Sequence, residues 1–313
     1  MNTTTLPAHV TLVDVGARDG LQNEQRNVDT AHKVELVHRL QAAGLRELEV
    51  TSFVSPKWVP QMGDNAAVMS ALQRQPGVRY SVLVPNMKGL EAALPTRPDE
   101  IVVFGAASEA FSQRNINCSI DESIERFRPV VRAARDAGVK VRSAISCALG
   151  CPYQGEVSLD DVERVVVRMK DIGVQHVGIA DTIGVGTARR AQAALERALK
   201  HYPIGEVSGH FHDTYGQALA NIYACLELGV HTFDASVAGL GGCPYAKGAT
   251  GNVATEDVVF MLHGLGIDTG IDLEALVDAG AFISNVLGRA PVSRAGKALL
   301  AKREKKSGQA VAA

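Results

Sequence analysis

The stretch SGHFHDTYGQALAN, residues 208–221, closes a β-rich run with two histidines and passes at once into a helix-like segment. Successive side chains of a strand alternate between faces, so His210 and His212 share one face and Phe211 takes the other. The same order, short β-rich run and then helix, recurs along the chain. The runs are VTLVDVG (10–16), ELEVTSF (47–53), RYSVLVP (79–85), EIVVFGAA (100–107), KVRSAIS (140–146), HVGIADT (176–182), VSGHFHD (207–213) and TFDASVAG (232–239), eight in all. Between them, stretches such as TAHKVELVHRLQAAG (30–44) and SIERFRPVVRAARDAG (123–138) repeat apolar residues at helical spacing and end in glycine, the usual residue just past a helix. Strands that alternate with helices pair in parallel, and eight such units predict an α/β fold, a closed (β/α)8 TIM barrel. An open doubly wound sheet is the competing architecture. The turn after the first strand, GARDGLQNE (16–24), lacks the Gly-x-Gly-x-x-Gly of a dinucleotide fold and argues against it.

A length of 313 residues with 46% hydrophobic content suits one large core. Residues 1–290 are expected to form a single catalytic barrel domain. It includes a C-terminal helical extension from about 272, DLEALVDAGAFISNVLG, and 291–313 is expected to be a basic, disordered tail. Thirty-two basic against thirty-four acidic residues give a net charge of −2, which excludes a whole-chain field for nucleic acid or an anionic membrane. The expected partners are therefore small molecules. The opening MNTTTLPAHV has neither a basic, apolar signal sequence nor an arginine-rich transit character, so a cytoplasmic location is expected. Five scattered cysteines, an odd number, suit a reducing compartment.

In barrel enzymes the chemistry lies at the C-terminal ends of the strands. The polar residues there are Arg18 and Asp19 after the first strand, Glu49 in the second, Asp181 in the sixth, His210 and His212 in the seventh, and Asn252 after the eighth. A lone histidine in such a place is more often a hydrogen-bonded core residue. Two in register, with Asp19 able to join them, point to metal ligation. Asp19, His210, His212 and Asn252 would supply two imidazoles, a carboxylate and an amide carbonyl. That set suits a six-coordinate Mg²⁺ or Mn²⁺ better than zinc. Asp213 is read as an N-cap for a helix beginning near Tyr215. The loop GLGGCPYAKGATGN (239–252) holds five glycines, and such loops can move as lids. Cys243 in its middle is a candidate acid-base thiol. Cys147 and Cys151 are read as site-lining or structural, and Cys118 and Cys225 as small buried hydrophobes.

These segments, together with TSFVSPKWVPQMGD (51–64), FGAASEAFSQRNINCS (104–119), SCALGCPY (146–153), DTIGVGT (181–187) and VAGLGGCPYAKGATGNVATED (237–257), closely resemble the 3-hydroxy-3-methylglutaryl-CoA (HMG-CoA) lyases. The resemblance spans about residues 10–290 and is of bacterial type. Gln25 and Ala17 stand where animal members tend to carry lysine and proline, and the AVAA terminus is neither a peroxisomal address nor a cysteine-bearing tail. The resemblance implies metal-dependent retro-Claisen cleavage of (S)-3-hydroxy-3-methylglutaryl-CoA to acetyl-CoA and acetoacetate, as in leucine degradation and ketone-body formation, and a homodimer. Carried over residue by residue, Asp19, His210, His212 and Asn252 are the metal shell. Arg18 stands beside the thioester carbonyl, Cys243 is the loop thiol, and Glu49 and Asp181 are supporting acid-base groups. Arg18, Gln22, Ser146 and Cys151 are the expected contacts of the CoA thioester. The general base is open between Asp181, His210 and water. A lyase for a longer branched 3-hydroxyglutaryl-CoA would keep every one of these residues. A condensing synthase of the same superfamily and a non-catalytic barrel are the remaining alternatives.

Overall fold

Every β-rich run forms a strand. The computed structural model describes residues 6–242 and 251–311, and in it the strands are β1 (Thr11–Asp14), β2 (Glu47–Ser52), β3 (Arg79–Leu83), β4 (Glu100–Ala106), β5 (Lys140–Ser146), β6 (His176–Asp181), β7 (Val207–Phe211) and β8 (Thr232–Ala235). They pair in parallel in chain order, and β1 pairs with β8 from Thr11↔Thr232 to Asp14↔Ala235, which closes the barrel. The α/β reading of the sequence holds. The helices begin where short polar side chains satisfy free backbone N–H groups. Asp29 Oδ1 accepts from His32 N at the start of α1 (Thr30–Ala42). In the helix Ile120–Asp136, Ser119 and Glu122 form a reciprocal capping box. Gly44 and Gly138 follow these two helices with positive φ, the conformation a glycine adopts at least cost.

Between sheet and helices lies the apolar layer, where Val141, Ile145, Val177, Ile179, Val207 and Phe233 are fully buried. The barrel interior differs from the branched aliphatic filling usual in this architecture. Glu49, Glu100, Arg142 and Asp234, from four strands, are all buried and meet inside it. Charges taken out of water must be paired, so this interior is a network of ion pairs whose geometry is tightly constrained.

Beyond β8 the chain adds helices at Thr255–Gly264, Leu273–Leu287 and Arg294–Val311. The second is the extension expected from about 272. The third corrects the expectation of an unstructured tail from 291. Asp257 accepts from Ser293 Oγ (2.7 Å), Arg294 N (3.1 Å) and Ala295 N (2.7 Å), which neutralises the positive end of the last helix. Farther along, Arg303 bonds Glu274 and Asp278 of the preceding helix. These tertiary partners give a weakly patterned segment its order. Among the described residues no helix is long and apolar enough to cross a membrane.

Candidate active site

The site begins immediately after β1, where Gly16–Gly20 form one wide turn closed by Gly20 N donating to Val15 O at 3.1 Å. Turns of this kind widen the spacing of side chains and recur at functional sites. Both flanking glycines are required by contact. A Cβ on Gly16 would lie 2.8 Å from Asp14 Oδ1, and one on Gly20 would lie 2.7 Å from Leu240 Cβ. Pressed against the segment that follows β8, the turn aims Arg18 and Asp19 at the barrel mouth.

There Asp19 meets the histidines of β7. One ligand atom each of Asp19, His210 and His212 lie within 4.8 Å of one another. Asn252 joins them through Nδ2, which donates to Asp19 Oδ2 at 2.7 Å. Its backbone forms an isolated antiparallel bridge with His212. Burial opposes charge on Asp19, but Arg18, the imidazoles and the Asn252 amide outweigh it and hold the carboxyl down to about 2. His212 is the reverse case. Burial and the neighbouring His210 push it down to about 4, which leaves a neutral imidazole near pH 7. Its Nδ1 is buried with no hydrogen-bond partner among the described residues. An ionised carboxylate, a neutral imidazole with an unsatisfied nitrogen and an amide within reach form a donor set that fits a divalent cation.

Arg18 is bound on both sides: its Nε donates to Glu49 Oε1 at 2.7 Å and its Nη1 to Asp19 Oδ1 at 2.6 Å. Nη2 of Arg142 approaches the other oxygen of Glu49 to 3.5 Å. Glu49 therefore sits between two guanidinium groups, an arrangement that orients Arg18. His210 Nδ1 lies 3.1 Å from Asp234 Oδ2. Burial works against a charged His210, yet the bond and charge of Asp234 outweigh it and raise the imidazole above its ordinary range. Asp181, fully buried, is pushed up to about 6 by burial, against the lowering effect of N–H donors such as Gly186 N at 2.9 Å.

The HMGL-like family model matches residues 9–283. The chain belongs to the HMGL-like family. It is 58% identical to the 3-hydroxy-3-isohexenylglutaryl-CoA/hydroxy-methylglutaryl-CoA lyase of Pseudomonas aeruginosa over 95% of this chain and 99% of that one. The mitochondrial hydroxymethylglutaryl-CoA lyase of Gallus gallus is 52% identical over 93% of this chain and 98% of its own. The crystal structure of the hydroxymethylglutaryl-CoA lyase from Pseudomonas aeruginosa superposes with a TM-score of 0.93, covering 95% of this chain and 99% of that one.

The other predicted residues of this HMGL-like chain fall at varied distances from chemistry. Gln22, half-buried beside the turn, has an Oε1 without a partner among the described residues. Ser146 is half-buried at the end of β5. Cys151 is turned to structural use: it is 3% exposed, and its Sγ accepts from Ser108 Oγ at 3.0 Å and from Tyr153 N at 3.4 Å, fastening the loop after β5. Cys147 is buried beside it, and burial pushes its thiol well up. Cys243 lies outside the described residues. Asp213 is not the N-cap expected: the helix runs Ala218–Leu226 with Gln217 at its N-cap, and Asp213 reaches it from the preceding loop, its Oδ1 accepting from Ala218 N at 3.1 Å. Arg142 and Asp234 are the residues that reading by motif missed. Each sits within a strand run, and the signal available was a charged residue in the interior of a barrel strand.

Proposed function

We propose that this chain is a metal-dependent lyase that cleaves HMG-CoA to acetyl-CoA and acetoacetate. The observation that carries the reading is the convergence of Asp19, His210 and His212 within 4.8 Å, with Arg18 2.6 Å from Asp19. Asp19, His210, His212 and Asn252 are the residues that would hold Mg²⁺ or Mn²⁺. A divalent ion there acts as a Lewis acid toward the substrate's oxygens, which is typically worth several kcal/mol of transition-state stabilisation.

The reaction must remove the proton of a tertiary hydroxyl and release a thioester enolate, so the protein has two charges to manage. Arg18 stabilises the enolate oxygen with a guanidinium that Glu49 orients and that keeps its proton throughout. Asp181, with an affinity for protons raised into the range near neutrality, is the residue suited to take the hydroxyl proton. Cys243, in the glycine-rich loop, protonates the enolate carbon. Gln22, beyond the turn that follows β1, and Ser146, at the end of β5, would line the path of the thioester. The enzyme would act in the cytoplasm as a homodimer, and the exposed Tyr223, Phe260 and Leu265 offer apolar surface for that contact.

The test is acetoacetate release from HMG-CoA with and without Mg²⁺ or Mn²⁺. Activity abolished by chelation and restored by either ion is expected, and metal-independent release or none at all would overturn the reading. A second substrate is favoured by one finding, the double name of the Pseudomonas aeruginosa relative. A kcat/KM panel of 3-substituted glutaryl-CoA esters would show whether a longer branched acyl group is preferred to the methyl compound.

A further inference from the structure

Arg142 occupies the centre of the barrel beneath the site. It is 4% exposed and projects from β5, yet it touches carboxylates from three other strands. Nη1 donates to Asp234 Oδ1 of β8 at 2.7 Å, Nη2 lies 3.5 Å from Glu49 Oε2 of β2, and Nε lies 3.6 Å from Glu100 Oε1 of β4. Two of these carboxylates hand the connection upward. The second oxygen of Asp234 faces His210 Nδ1, and the second oxygen of Glu49 accepts from Arg18, which in turn bonds Asp19. The resulting chain is Asp19, Arg18, Glu49, Arg142, Asp234, His210, with acids and bases alternating. Its two ends meet again in the cluster of Asp19, His210 and His212.

Resting on the site reading above, we propose that Arg142 is the positioning residue of this centre. It locks Asp234 and Glu49 in one frame, so that His210 keeps its Nδ1 proton on Asp234 and turns Nε2 to the metal while Arg18 stays aimed at the substrate. The chemistry of the residue supports this. An ionised carboxylate only accepts, so a histidine nitrogen bonded to it must carry a proton, and in the neutral imidazole that a metal requires the opposite nitrogen is the one left with its lone pair. Groups that orient ligating histidines in this way typically change metal affinity 10–100-fold when removed. A guanidinium presents several donors in one rigid plane and can serve separate carboxylates at once, whereas a lysine ammonium would collapse onto one. Arg142 reaches neither a ligand nor the reacting atoms, and it acts only through Asp234 and Glu49.

The experiment uses the full-length protein with R142K and D234N. Mn²⁺ affinity is read by EPR, the thermal midpoint by calorimetry, and the His210 tautomer by ¹⁵N NMR of the metal-free protein. D234N keeps the size of the side chain and so guards against a misfolded R142K. Both variants are expected to weaken Mn²⁺ binding roughly tenfold or more. D234N should also move the His210 proton from Nδ1 to Nε2, because an amide nitrogen can donate where the carboxylate could only accept. A folded R142K or D234N that binds Mn²⁺ as the wild type does would overturn the proposal, as would a tautomer that does not change. If the wild type itself gives no Mn²⁺ signal, the metal-site reading fails on its own evidence. The tautomer of the metal-free protein then decides the role of Arg142 separately: an Nδ1 proton in wild type that shifts in D234N and is no longer fixed on Nδ1 in R142K supports it, and any other pattern overturns it.

Discussion

The guanidinium of Arg18 lies 2.6 Å from the carboxylate of Asp19, its own neighbour in the chain. On a regular strand or helix these side chains would diverge, and the wide turn Gly16–Gly20 is what lets them meet. The pair joins the group assigned to the enolate directly to a group assigned to the metal, so the two roles should separate on substitution.

Arg18→Gln should keep most metal binding, since none of the proposed ligands changes. Turnover should fall by about 10²–10⁴-fold, the scale of losing about 3–5 kcal/mol of charge stabilisation in the transition state. Metal content by atomic absorption together with kcat checks this. A fall of less than tenfold would exclude the enolate role.

His212→Ala should lower metal affinity and activity together. The imidazole is 7% exposed and its Nδ1 has no hydrogen-bond partner among the described residues, so the change removes a donor without breaking a described bond. The thermal midpoint of the metal-free protein should move little. Calorimetric titration with Mn²⁺ measures the first effect, and unchanged affinity would remove His212 from the ligand set.

Glu256 sets a pH dependence of stability. Its carboxylate is buried where both oxygens accept from Ala238 N, at 2.9 and 3.0 Å. Burial pushes its pKa from 4.5 up to about 8, and the carboxylates of Asp14 and Asp257 act in the same direction. A raised folded value means that the native state holds a proton the unfolded chain releases. The contribution to stability is therefore complete below pH 4.5 and is lost as pH rises toward 8, on the order of 1 kcal/mol per pH unit. Glu256→Gln should flatten that slope and raise stability relative to wild type at pH 8. Urea melts of both proteins from pH 5 to 8 test it, and parallel slopes would show that Glu256 does not titrate in this window.

Cys243→Ala should preserve metal content and thermal midpoint while reducing kcat on the order of 10²–10⁴-fold, the usual contribution of a positioned acid-base group. Loss of metal would make the thiol a ligand. Iodoacetamide labelling that leaves activity intact would remove it from the reaction.

Much of this protein was legible along the chain. Strand runs declare themselves by short β-branched composition and helices by apolar spacing, both local properties, so all eight strands could be placed from sequence. His210 and His212 were also legible as a pair, because a period of two is built into any strand. The meeting of Asp19 with the histidines was legible only through the closed barrel that eight βα units imply, since closure sets β1 beside β8, itself paired to β7; which charged side chains pair inside that barrel was not. Arg142 shows the limit most clearly: a charged residue inside a strand is visible, but its partners lie on β2, β4 and β8. The last helix owes its order to Asp257, Glu274 and Asp278 in the same way. Periodicity and composition are properties of neighbouring residues and can be read in order. Charge pairing in a buried interior depends on which strands face one another, and only the closed tertiary structure decides that.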